Sequence, residues 1–298
     1  MYATQLTCAL GATQEAANML RPAFRTGYLE KFDVTVEREL RRYLIQNFPD
    51  YGYRGEETNA VTLPRDPDGH LWLVDPHDGT HAAAKGHRGS AVSIALLREG
   101  LPVLGVVFAF GAPDDDGDLF WWAEGQGPLR RNGTEIERAW RGSPDSDMTV
   151  LVSQDADGAA SVNATVAYPM RYRGIPGIAY RLALVAAGEA DLAISLNGPT
   201  GWDVAGGHAL LRGVGGDLFG HEGSQVTYDK TGSPNVSMRS CFGGWPDLVK
   251  NVAHRAWRKA LHHHRGEARE ALAYLEPGKL VSDAGILARA QGCLLEHF

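Results

Sequence analysis

Cysteine is scarce in this chain. Cys8, Cys241 and Cys293 are three among 298 residues, odd in number and far apart. No two have zinc-site spacing, so the sequence predicts a reducing, cytoplasmic setting without a structural disulfide. A basic surplus is missing too: 29 Lys and Arg stand against 36 Asp and Glu, a formal net charge of −7. That leaves no global field to hold nucleic acid or an anionic membrane, and neither is expected as a partner. No apolar run approaches the length of a membrane span. The opening MYATQLTCALGATQEAANML lacks the basic flank and apolar block of a secretion signal. The three N-x-[ST] matches at Asn132, Asn163 and Asn235 are therefore read as chance, and Asn132-Gly133 as a tight turn. There is no G-x-x-x-x-G-K-[ST] phosphate loop. An anionic ligand would have to be held locally, by metal ions or by backbone N–H groups.

What is present is periodicity. Residues 4–22 and 36–47 carry apolar positions at helical spacing, with Leu40, Tyr43, Leu44 and Ile45 on or near one face of the second segment. Strands are expected at 71–74, 91–97, 102–110 and 119–123, and the close spacing of the last three predicts an antiparallel meander. RGSPDSDM at 141–148 reads as a linker. Beyond it strand and helix alternate: TVLVS, IAYRLALVAAG, ADLAIS, WDVAGGHALLRG and GGDLFG. The expectation is an α/β protein with an α+β part over 1–143, an α/β part over 144–246 and a charged helical extension over 247–298. The run His262-His263-His264 in that extension reads as solvated surface, because consecutive helix residues point in different directions.

One stretch, WLVDPHDGTHAAAKGH at 72–87, needs a chemical explanation. Asp75 and Asp78 follow an apolar strand. Pro76 cannot join a sheet ladder, so the strand should end there. Gly79 permits a close backbone approach, and Gly79-Thr80 could open a helix. Two carboxylates at one turn repel unless a hard divalent cation sits between them. The N–H groups of Gly79, Thr80 and His81 would then face an anion beside the metal. Metal and anion together point to a phosphate site. D-x-x-D-G-T has one residue more than the D-x-D-G-T of aspartyl-phosphate enzymes, which excludes that nucleophile geometry.

Two further acidic stretches complete the pattern: Gly55-Glu56-Glu57 upstream, expected at the end of a loop after the second helix, and Trp202-Asp203-Val204-Ala205-Gly206-Gly207 with Gly215-Gly216 downstream. With Trp72-Leu73-Val74-Asp75-Pro76-His77-Asp78-Gly79-Thr80, these resemble, in order and spacing, the motifs of the inositol monophosphatase family. The family's central motif is W-[IV]-[IV]-D-P-[IL]-D-G-T. The resemblance covers about residues 5–225. It implies the layered αβαβα sandwich shared with fructose-1,6-bisphosphatase and a lithium-sensitive, Mg²⁺-dependent phosphomonoesterase that works as a homodimer on a small phosphate ester. Glu56, Asp75 and the backbone carbonyl of His77 would hold one Mg²⁺. Asp75, Asp78 and Asp203 would hold a second, and a third would sit on Glu56 through water. Thr80, paired with Asp33, would activate the attacking water, and Gly79, Thr80, His81 and Asp203 would contact the substrate. The bland reading of Asp33 is a helix cap before VTVERELRRYL.

Three departures bear on the substrate. The family's G-T-x-N-F is Gly79-Thr80-His81-Ala82-Ala83 here. The ring-binding Glu of inositol-specific members has no counterpart, since Ser195 or Leu196 falls near its place. GPTGWDVAGGHALL resembles instead the 3′-phosphoadenosine 5′-phosphate phosphatase branch. The expected substrate is inositol monophosphate or a similar sugar phosphate. The alternatives are a 3′(2′),5′-bisphosphate nucleotide, histidinol phosphate, or a binding protein without turnover. A zinc site on His77, His81 and His87 is disfavoured, and Lys85 reads as solvated unless the substrate carries a second acidic group.

Overall fold

The computed structural model describes residues 1–26, 32–58 and 61–257. The His262–His264 run and most of the expected 247–298 extension lie outside the described residues. Helices α1 (Ala3–Thr26) and α2 (Asp33–Asn47) lead into β1 (Gly52–Gly55), β2 (Val61–Thr62) and β3 (Leu71–Asp78). A single turn, α3 (Thr80–Ala83), precedes β4 (Ala91–Arg98), β5 (Leu101–Ala109), β6 (Asp118–Ala123), β7 (Arg130–Arg131) and β8 (Thr134–Glu135). The second half contains β9 (Thr149–Val152), a 3-10 helix at Gln154–Ala159, α4 (Ala160–Ala167), β10 (Arg171–Gly174), α5 (Ile178–Ala186) and β11 (Leu192–Ser195). It closes with α6 (Gly201–Gly213), β12 (Asp217–Phe219), β13 (Cys241–Gly244) and α7 (Pro246–Val252).

The strands form an eight-stranded sheet, β2-β1-β3-β4-β5-β6-β7-β8, and a five-stranded sheet, β10-β9-β11-β13-β12. The meander β4–β6 is antiparallel as its spacing predicts, and Asn132-Gly133 turns the β7–β8 hairpin with both residues at positive φ.

Strand alternation builds the layers. In β3, Trp72 and Val74 face a core shared with α1 and α2. Leu71 and Leu73 face the opposite side, where α5 and α6 pack. Along β9, Leu151 joins that same middle core, while Val150 and Val152 face α4 and α7. The period-2 side-chain pattern thus gives five layers: helices, sheet, helices, sheet, helices. The middle pair is close-packed because α6 carries glycines: a Cβ on Gly206 would lie 2.4 Å from Ser93 Oγ, and one on Gly207 2.4 Å from Leu182 Cβ. Among the described residues, no helix is long and apolar enough to cross a membrane.

Two local expectations are corrected. The β3 strand does not stop at Pro76; it runs to Asp78. Asp75 pairs with Ser93 and Asp78 with Ala91, so three steps on β3 face two on β4. This bulge takes the proline, which has no N–H, out of the ladder. The Glu56 loop also follows a strand rather than a loop after the second helix, since β1 runs parallel to β3 with Gly55 opposite Val74.

Candidate active site

The parallel pairing of β1 and β3 sets Glu56 beside Asp75, each one residue beyond the Gly55–Val74 pair. The N-terminus of α6 delivers the third carboxylate. Asp203 reaches back to Thr200, accepting from its backbone N at 2.6 Å and from its Oγ1 at 3.0 Å, which caps the helix and fixes the side chain. Ligand atoms of Glu56, Asp75 and Asp203 all lie within 4.8 Å of one another. Asp75 is 1% exposed. Its Oδ1 accepts the His77 N–H at 2.8 Å, while its Oδ2 is buried with no hydrogen-bond partner. A buried carboxylate oxygen without a donor is costly. Three converging carboxylates are an all-oxygen donor set that suits a hard divalent cation. The residues present therefore fit a metal.

Asp78 sits at the end of the bulge, with Oδ2 accepting the Ala179 N–H at 2.6 Å at the start of α5. The mutual repulsion of these groups shows in their acidity. Burial, then the neighbouring charges of Asp203, Glu57 and Asp33, pushes Glu56 up to about 7. Burial, with Glu56, Asp78 and Asp203 adding repulsion, holds Asp75 well above the ordinary aspartate value. Burial and Asp203 push Asp78 up to about 8, against the pull of the Ala179 N–H and Arg181. Asp203 is raised as well, chiefly by burial.

Thr80 and Gly79 are half-buried beside the cluster, and Gly79, at φ +90°, makes the turn into α3. The Thr80 hydroxyl donates to the His77 carbonyl at 2.7 Å. Asp33 is the first residue of α2, and the cap residue Phe32 makes no side-chain cap bond. Asp33 is 3% exposed, and its carboxylate meets His77 Nδ1 at 3.1 Å. The helix-cap reading therefore does not describe it. The pairing of Asp33 with Thr80 that the resemblance implies is replaced by one with the imidazole. The three histidines do not converge: His77 is buried, while His81 and His87 are exposed, as is Lys85. Among the described residues, no group with metal-site geometry includes any of those histidines.

Two residues that the sequence reading passed over hold the site in place. Glu37, fully buried on α2, accepts from the backbone N of Glu57, from Thr58 N at 3.1 Å and from the Thr58 hydroxyl. It anchors the loop that carries Glu56. A Cβ on Gly55 would collide with the Glu37 carboxylate, which accounts for the glycine before the two glutamates. The available signal was a carboxylate four residues after Asp33 on the apolar side of α2, next to Val36 and Leu40. Arg181, buried in α5, donates to the carbonyls of Gly177, Pro176 and Ile194. Burial pulls it down to about 10, while Asp78 counters that pull. A lone charge in IAYRLALVAA was the signal there.

Residues 24–257 match the model of the inositol monophosphatase family. Inositol monophosphatase 1 of Solanum lycopersicum is 29% identical over 263 residues, covering 80% of this chain and 92% of that protein. The 3′(2′),5′-bisphosphate nucleotidase CysQ of Aggregatibacter actinomycetemcomitans is 29% identical, covering 69% of this chain and 78% of its own. The fold is similar to that of inositol monophosphatase-II from Staphylococcus aureus, with a TM-score of 0.69 at 19% identity over 93% of this chain and 100% of that one.

Proposed function

The chain belongs to the inositol monophosphatase family, and on that premise we propose that it is a Mg²⁺-dependent phosphomonoesterase acting on a small sugar phosphate such as inositol monophosphate. The observation that carries this reading is the unpartnered Asp75 Oδ2 among the carboxylates of Glu56 and Asp203. A phosphate dianion is repelled by such a cluster unless cations neutralise it. Glu56, Asp75 and the His77 carbonyl would hold one ion and Asp75, Asp78 and Asp203 another, with a third on Glu56 giving two to three in all. Bound Mg²⁺ acidifies water and offsets charge on the transferring phosphoryl group.

The chain's own groups orient the reaction. Thr80 presents a hydroxyl and Asp33 a carboxylate toward the attacking water. The N–H groups of Gly79, Thr80 and His81, at the start of a helical turn, lack intrahelical partners and are available to the ester's phosphate. Asp203 contributes to substrate as well as metal. Glu37 keeps the Glu56 loop from swinging away.

A second reading, a 3′(2′),5′-bisphosphate nucleotidase, is favoured by the GPTGWD stretch, whose Thr200 is bonded to Asp203, and by the similarity to a relative of that name. The scarce, odd cysteines support a cytoplasmic setting, and the family pattern supports lithium sensitivity and a homodimer.

Phosphate release measured over inositol 1-phosphate, adenosine 3′,5′-bisphosphate, fructose 1,6-bisphosphate and histidinol phosphate tests the reading. Release of phosphate from inositol 1-phosphate is expected with Mg²⁺ and none with EDTA. Release without any divalent ion would contradict it, and preference for the adenosine bisphosphate would select the second reading.

A further inference from the structure

The family motif places an isoleucine or leucine between the two aspartates, and this chain places His77 there. Its side chain is 1% exposed, and its Nδ1 lies 3.1 Å from Asp33 Oδ1. Its backbone carbonyl accepts the Thr80 hydroxyl at 2.7 Å. A hydroxyl has one proton to give. While Thr80 donates it to His77, it cannot also donate to Asp33. Both groups expected to handle the attacking water are therefore tied to the same residue, one through its ring and the other through its backbone. An aliphatic side chain could make neither the ring contact nor a substitute for it.

We propose that His77 is a positioning residue for the hydrolytic water: its Nδ1–H holds the Asp33 carboxylate in place, standing in for the direct Thr80–Asp33 bond. This rests on the phosphatase reading above and deepens it. An ionised carboxylate only accepts, so the proton belongs on Nδ1, and the tautomer follows from that contact. Nε2 is the ring nitrogen that is buried without a partner, with the Phe110 ring centroid 5.5 Å from that of the imidazole. Fixed orientation of a water-handling carboxylate acts on turnover rather than on substrate affinity.

The test compares His77→Leu, His77→Asn and His77→Gln, each also combined with Asp33→Asn. An asparagine amide can reach the place of Nδ1, and a glutamine amide the place of Nε2. The expected result is a fall in kcat of about ten- to a hundredfold for leucine and glutamine, recovered in asparagine. KM and Mg²⁺ affinity by calorimetry should stay within about twofold of wild type. In the Asp33→Asn background, leucine should cost nothing further. A downfield Nδ1–H proton resonance should be present in wild type and lost in Asp33→Asn, a readout independent of turnover.

Near-normal kcat in the leucine variant, an equal leucine penalty in both backgrounds, or glutamine outperforming asparagine would overturn the proposal. If the leucine variant fails to fold, the asparagine–glutamine contrast and the proton resonance decide it. A wild-type protein that releases no phosphate with Mg²⁺ would sink the phosphatase reading instead, and the resonance would then decide the His77–Asp33 contact by itself.

Discussion

Replacing Asp75 by asparagine is expected to lower phosphate release by about a hundredfold to a thousandfold and, at pH 8, to make the metal-free protein more stable. The two effects have one cause. Asp75 is the carboxylate that both proposed ions share, so the amide removes a charge from each site at once. Its Oδ1 accepts the His77 N–H, a bond that an asparagine oxygen keeps. Its Oδ2 has no donor, and an amide NH₂ in that place can donate to the facing carboxylates of Glu56 and Asp203. The variant therefore exchanges repulsion for hydrogen bonds while losing the cation. Steady-state rates across a Mg²⁺ titration and thermal melts in EDTA check the two halves. A variant with near-normal turnover, or one less stable than wild type without metal at pH 8, would refute the argument.

Without metal, the wild-type protein should lose stability as pH rises from about 5 to about 8, opposite to the usual trend for carboxylates that gain a cationic partner. Unfolded carboxyls titrate near pH 4. In the folded protein Glu56 is pushed up to about 7 and Asp78 to about 8, with Asp75 raised in the same direction. Within this window the folded state holds protons that the unfolded state has released, so each step up in pH favours unfolding. The contribution is complete below about pH 4 and gone once pH passes the folded values. Discounted for solvent relaxation, the loss should appear as a fall in Tm of about 5 °C or more. Mg²⁺ reverses it by binding the native state, about 2.7 kcal/mol at a hundredfold excess over Kd. The rescue should grow with pH, because the ion competes with those protons. Melts in EDTA and in Mg²⁺ at pH 5.5, 7 and 8.5 test this, and a metal-free Tm that rises over that range would contradict it.

Much of this was legible in the sequence because the information was local. The apolar run that becomes β3, the antiparallel meander and the turn at Asn132-Gly133 are written in neighbouring residues. The ordered acidic motifs carried the family resemblance. What escaped depended on contacts made at a distance. Gly52–Gly55 is short and glycine-flanked, and becomes a strand only because β3 lies beside it. Pro76 forbids a ladder bond, yet a bulge lets the strand continue around it. Glu37 looks like one more charge on an amphipathic helix until the loop of Glu56 folds back onto it. His77 stands where the family motif has an apolar residue. Its ring finds a hydrogen-bond partner only because α2 brings Asp33 to it across 44 residues of chain.

Anomalous diffraction from a crystal soaked in Mn²⁺, an oxygen-seeking stand-in for Mg²⁺, tests the central claim most directly. A peak should lie within about 2.3 Å of oxygens from both Glu56 and Asp75, with a second joining Asp75, Asp78 and Asp203. A protein saturated with Mn²⁺ in which the cluster binds none, and Asp75 Oδ2 is met by a protein donor instead, would contradict it.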